Sequence, residues 1–162
     1  MKFQAALLVV KNMERSVKFY KEVLGLRVTM DLGANVTLTG GVALQTQESW
    51  CEFISKDLQS ISFGGNAAEL YFEEDKFDDF LKKLAAIKGI FYVHPVQQYS
   101  WGQRVIRFYD PDFHILEVGE NMKSVCRRFL DSGMTIEAAA VRMNVPEKFV
   151  REIGRASCRE RV

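Results

Sequence analysis

The sequence predicts an α+β fold: two βαβββ modules that build a cupped mixed sheet, followed by a short helical C-terminal extension. Three observations predict it. The order strand, helix, strand, strand, strand occurs twice along the chain, and Gly64-Gly65 breaks the stretch between the two copies. From Met122 onward the apolar spacing is helical only. Each copy alone would leave one sheet face open, which is why two copies are expected to share one chain.

The first copy opens with the β-rich run Phe3 to Val10. Asn12 offers an N-cap to "MERSVKFYKEVL", whose apolar residues Met13, Val17, Tyr20 and Leu24 recur at helical spacing, and Gly25 stops it. "LRVTMDL" returns to strand character, and "NVTLT" and "VALQT" are joined across Gly40-Gly41 as a hairpin. In the second copy "AELYFEE" is a strand and "DKFDDFLKKLAAI" an amphipathic helix with Phe77, Phe80, Leu81 and Leu84 on one side. Gly89 ends that helix, "IFYVHPV" follows, and "QRVIRFYD" and "HILEVGE" fold about the turn at Pro111. Between the copies, "ESWCEFI" is a short helical candidate.

Residues 1–121 are thus read as one domain with modules at about 1–46 and 66–120, and residues 122–152 as three short helices, "MKSVCRRFLDS", "TIEAAAVRM" and "PEKFVRE". The final stretch "EIGRASCRERV" fits neither helical nor strand periodicity and resembles the in-frame translation of a common sequencing adapter. Residues 153–162, with Cys158, Arg155, Arg159, Glu160 and Arg161, are therefore expected to be non-native.

A formal net charge of +1 with 27% charged residues gives no concentrated basic face for nucleic acid. No apolar run approaches the ~20 residues of a membrane helix, and no cleavage site follows the short run Ala5 to Val10. Three scattered cysteines without a CxxC pair read as reduced thiols, two of them buried, so a cytoplasmic location is expected.

Two segments, "LLVVKNMERSVKFYKEVLGLRV" and "WGQRVIRFYDPDFHILEVGE", resemble the opening strand and helix and the closing DPxG-type hairpin of the vicinal oxygen chelate superfamily, which includes glyoxalase I, bleomycin-resistance proteins and extradiol dioxygenases. The resemblance spans about Lys2 to Glu120. It implies a metal-site position on each of four strands, which fall on Ala5, Gln45, Glu69 and Glu117. Ala5 stands where the first ligand is usually histidine and has no donor atom. Gln45, Glu69 and Glu117 remain as metal-ligand candidates, an oxygen set suited to a hard divalent ion. By the same resemblance Glu117 is the candidate catalytic base. His114 lies an odd number of residues from Glu117, so strand alternation sends the two to opposite faces.

Trp50, Tyr71, His94, Tyr99, Trp101 and Arg104 are the candidate ligand-binding residues, aromatics and polar groups of the kind that line small-molecule pockets. Alternation turns Arg104 and Arg107 to opposite faces, and the sequence leaves open which one points inward. An inward arginine is expected to pair with Glu69 or Glu117 and to take a metal's place in balancing buried carboxylates. The expected function is small-molecule binding of the bleomycin-resistance type without the full metal site. The alternative is a lyase, isomerase or dioxygenase using one divalent ion (Mg, Mn, Ni or Zn), and a lesser alternative is a ligand-sensing regulator acting through the C-terminal helices. A homodimer is expected, with no membrane or nucleic-acid partner.

Overall fold

The computed structural model describes the backbone from Met1 to Arg159 and the side chains through Gly154. Two four-stranded mixed sheets carry the chain. β1 (Ala6–Val10), β2 (Val28–Asp31), β3 (Asn35–Leu38) and β4 (Val42–Thr46) form the first, in the order β1-β4-β3-β2. β5 (Glu69–Glu74), β6 (Tyr92–Gln98), β7 (Arg104–Tyr109) and β8 (Ile115–Glu120) form the second, in the order β5-β8-β7-β6. The same permutation in both sheets makes the internal repeat visible in the backbone. Six α-helices accompany them among the described residues: α1 (Met13–Leu24), α2 (Gln47–Ile54), α3 (Phe77–Ala86), α4 (Met122–Asp131), α5 (Ile136–Met143) and α6 (Glu147–Arg159).

By compactness the chain divides differently from its repeat. One unit holds Met1–Glu69, Ile87–Phe91 and Tyr109–Leu116; the other holds Leu70–Ala86, Tyr92–Phe108 and the chain from Glu117. In the first unit β1 runs parallel to β4, while β2, β3 and β4 form an antiparallel meander. Asn12 caps α1 by accepting from the Arg15 amide (2.8 Å), and Gly25 ends it at φ +70°. One face of the meander is buried at Val36, Leu38, Val42 and Leu44, and α1 contributes Tyr20 and Val23 to that core.

In the second unit α3 buries Phe77, Phe80 and Leu84, and the ring of Phe80 lies 6.3 Å from that of Phe108. α4, α5 and α6 form their own apolar cluster around Val125, Phe129, Ala140, Met143 and Val150. α4 also docks on the turn before β7: Arg128 donates to the Gly102 carbonyl (2.7 Å), and the Phe129 ring fills the space beside Gly102.

Among the boundaries that differ from the sequence reading, three bear on the site or on the helical extension. β1 begins at Ala6 because the Ala6 amide makes its ladder bond to Gly41 (2.8 Å), so Ala5 precedes the strand. β6 runs through Pro95 to Gln98, with two register shifts, the second of which spans Pro95 and its missing N–H. α6 continues through Arg159, and Ile153, one turn after Val150, is buried in the helical cluster. The 3.6-residue spacing of Phe149, Val150 and Ile153 was hidden by the unusual residues that follow. The side chains of Arg155, Cys158, Arg159, Glu160 and Arg161 lie outside the described residues. Cys51 and Cys126 are free and buried, and burial raises the Cys126 thiol.

Candidate functional site

Strand alternation in β7 sorts the charged residues of the second unit. Arg104, Ile106 and Phe108 face α3: the Arg104 guanidinium lies over the Phe77 ring (5.2 Å) and Phe108 meets Phe80. Gln103, Val105 and Arg107 therefore take the opposite face. On β8, Glu120 shares the α3 side with Arg104, whereas Glu117 and Gly119 take the other.

On the α3 side the charges neutralise one another. Arg104 donates to Asp78 (2.8 Å) and to Glu120 (3.1 Å), and Arg128 reaches Glu120 at 3.0 Å. Burial alone would raise the Glu120 carboxyl, but hydrogen bonds from Arg104 and Arg128 outweigh it and hold the group below its usual range. The Arg104 bonds also lower Asp78. Arg104, a candidate ligand contact, has its guanidinium committed to this cluster.

Across the strand, Arg107 pairs with Glu117. Of the two arginines left open by parity, Arg107 is the one that meets Glu117. Its Nη1 also donates to the Tyr99 hydroxyl (2.6 Å) and to His94 Nε2 (3.2 Å). A guanidinium has only donors, so His94 Nε2 accepts; the Pro95 carbonyl only accepts, so His94 Nδ1 carries the proton it donates there (2.7 Å). Both ring nitrogens of His94 are engaged in this way. Tyr99 stacks on Trp101 with ring centroids 4.3 Å apart and planes 26° apart. Trp101 Nε1 donates to Gln103 Oε1 (3.2 Å), Gln103 Nε2 donates to the Tyr71 hydroxyl (2.9 Å), and Tyr71 donates to Glu73 (3.1 Å). Burial, with Glu73 adding to it against the Gln103 bond, raises the Tyr71 phenol.

One chain of contacts thus runs Glu117, Arg107, Tyr99, Trp101, Gln103, Tyr71, Glu73. Gly119 makes room for it, since a β-carbon there would lie 2.8 Å from Gln103 Nε2 and 3.0 Å from the Tyr71 ring. Gln103 and Gly119 were missed in the sequence. Their signal was available: Gln103 has the parity of Arg107, and a glycine inside a strand marks a close approach.

The other candidates lie in the first unit. Gln45 is buried; its carbonyl oxygen accepts from Asn35 (2.7 Å) and its amide nitrogen donates to Ser49. Trp50 is half-buried on α2, and Glu69 opens β5 with an exposed side chain. Ala5 sits half-buried just before β1. His114 is taken up by the turn: Asp110 bonds its Nδ1 (2.9 Å) and its amide (2.8 Å), and its ring meets Phe63 edge-on at 6.1 Å. Asp110 also accepts from the Tyr20 hydroxyl (2.9 Å), and burial together with Asp110 raises that phenol well above its usual value. Among the described residues no group of three or more His, Cys, Asp or Glu side chains assembles that could hold a metal ion.

Residues 3–123 match the family model of the glyoxalase-like domain. The chain belongs to that family. It is a member of the vicinal oxygen chelate superfamily. A crystal structure of a protein of unknown function from Agrobacterium tumefaciens is 35% identical, with a TM-score of 0.66, covering 75% of this chain and 94% of that one. Bacillus subtilis YraH is 26% identical over 126 residues, 73% of this chain and 97% of its own length. A glyoxalase/bleomycin resistance protein/dioxygenase from Nocardioides (22% identity, TM-score 0.61, covering 74% and 83%) and a lactoylglutathione lyase from A. tumefaciens (21%, 0.57, 75% and 94%) share the glyoxalase-like fold. No helix among the described residues is long and apolar enough to cross a membrane.

Proposed function

We propose that this glyoxalase-like protein binds a small, planar organic molecule on the Arg107 face of its second sheet, and that it does so without a metal ion. One observation carries the reading: Arg107 supplies the positive charge opposite Glu117, at the strand position where the family places an anionic metal ligand. Two further features of the donor set fit a metal poorly, and the Arg107–Glu117 pair itself adds to them. Ala5 brings no donor, and both polar ends of the Gln45 amide are bonded to Asn35 and Ser49. Glu117 already faces a guanidinium, whose fixed charge opposes a second cation at the same oxygens. Trp50 and Glu69, which lie in the first unit, take no part in this reading.

The binding chemistry follows from the contact chain. The stacked Tyr99–Trp101 pair offers a flat apolar platform, and Arg107 and Tyr71 offer polar groups, Tyr71 held in place by the buried Gln103. A ligand with an aromatic ring and a hydrogen-bonding edge suits that mixture of rings and polar groups. In the same proposal α4 supports the platform from behind, through Arg128 and Phe129 at Gly102, so residues 122–152 serve binding rather than contact with DNA. The protein acts as a cytoplasmic homodimer, and static light scattering at micromolar concentration is expected to return twice the chain mass.

Metal analysis and fluorescence together test the reading. Protein purified without added metal or chelator is expected to hold no stoichiometric Mg, Mn, Ni or Zn. Planar aromatic amines are expected to quench tryptophan fluorescence, and Tyr99→Ala to abolish the effect. Stoichiometric metal that is lost in both Glu69→Ala and Glu117→Ala overturns the proposal in favour of the metal-dependent lyase, isomerase or dioxygenase.

A further inference from the structure

The turn between β7 and β8 holds a residue that its backbone does not suit. Phe113 lies at φ +66°, the left-handed region that glycine enters freely and a bulky side chain seldom does. Burial does not account for it, because the residue is 45% exposed. Its ring lies instead among other rings, 5.8 Å from Phe91 and 5.4 Å from Tyr109. Phe91 is itself 62% exposed. With Phe19 of α1, Phe91 and Phe113 wall a cavity of about 370 Å³, within the size range of small-molecule sites.

The charges around this cavity are nearly all committed. Arg15 pairs with Asp112 (2.6 Å), and Lys18 lies 4.0 Å from Glu22. The Asp110 oxygens accept from Tyr20, His114 and the Asp112 amide. Lys88, beside Gly89 on the cavity wall, has no ion-pair partner among the described residues. The result is an aromatic slot with one uncompensated cation, built wholly within the first unit and separate in its residues from the Arg107 network.

We infer that this cavity is a second binding site, for a small aromatic carboxylate. The ligand's rings pack against Phe19, Phe91 and Phe113, and its carboxylate pairs with the Lys88 ammonium. The strained backbone at Phe113 is retained because its ring completes the wall.

1-Naphthoate is the probe, followed by titration calorimetry and by amide chemical-shift mapping on the full chain. The wild type is expected to bind it, with shifts centred on Lys18, Lys88 and Phe113. Phe113→Gly should weaken binding at least tenfold with Tm unchanged or raised, because glycine relieves the turn. Lys88→Glu, an exposed change that leaves the fold intact, should also weaken it at least tenfold and remove the preference for 1-naphthoate over neutral 1-naphthalenemethanol. The inference is overturned if the wild type gives no binding, if Phe113→Gly binds as tightly as the wild type, or if the shifts centre on Tyr99 and Trp101.

Discussion

The ring of Phe129 on α4 occupies the space that a side chain on Gly102 would need, and Gly102 itself sits at φ +90°. Steric overlap and backbone strain therefore act together at this position. Gly102→Ala is expected to cost about 3 kcal/mol and to lower Tm by about 10 °C. Gly33→Ala is the control: φ is +75° there, but no atom lies within 4 Å of the added carbon, so only the backbone term of about 1 kcal/mol applies. Equal losses in thermal unfolding of the two variants would show that Phe129 yields freely and that α4 is not tightly docked.

Arg107 and Glu117 should behave as a coupled pair. Their side chains are 22% and 8% exposed, so removing the guanidinium strands a carboxylate that water scarcely reaches. Arg107→Met is expected to cost about 2–3 kcal/mol, whereas the double variant with Glu117→Gln recovers at least about 1 kcal/mol of that. Urea unfolding of the four proteins in the cycle measures the coupling; strict additivity would refute the pairing.

Acid should act through Glu120. Its folded carboxyl is held below its unfolded value by Arg104 and Arg128. A lowered folded value means that the stabilisation is fully present above the unfolded carboxylate value, about pH 4.3. It is lost as pH falls from there through the folded value. Glu120→Gln is accordingly expected to be less stable than the wild type at pH 7 and to lose less between pH 5 and pH 3. Parallel pH profiles of the two would contradict this assignment.

In the first unit the ion pair between Arg15 and Asp112 is asymmetric, with side-chain exposures of 48% and 0%. Removing the exposed partner should do the greater harm. Arg15→Ala leaves a buried carboxylate held, among the described residues, by Ser16 and the Lys11 amide (both 3.3 Å), at a cost of about 2–3 kcal/mol. Asp112→Asn leaves an arginine that water can solvate and is expected to cost about 1 kcal/mol. Chemical denaturation of both variants checks the order, and the reverse order would mean that Asp112 is solvated in the native state.

The elements most legible in the sequence were those fixed by local chemistry. Asn12 and Gly25 bracket α1 because a cap and a left-handed stop act within a turn of the helix. Alternation separated Arg104 from Arg107, but the sequence did not say which faced Glu117. That depended on which face α3 covers, a tertiary fact set by Phe77 and Phe80. Tyr71 and Trp101 were named as separate aromatics. Their link through Gln103 needs β5 beside β8, a pairing that local spacing does not reveal, although the glycine at 119 that makes room for it was legible. Phe113 was passed over because its oddity lies in a dihedral angle and not in its composition.

The shared strand order of the two sheets also bears on how the chain folds during synthesis. In each repeat the strand made first is flanked by the strand made last: β1 waits for β4, as in the pairing of Ala6 with Val42, and β5 waits for β8. The meander of β2, β3 and β4 closes through short loops and can form early, whereas β1 must search across a long one. Leu7 and Val9 therefore stay unpaired at the ribosome until the "VALQT" segment has emerged. In that interval the opening strand is an aggregation hazard, and the helix that follows it is the earliest available shelter.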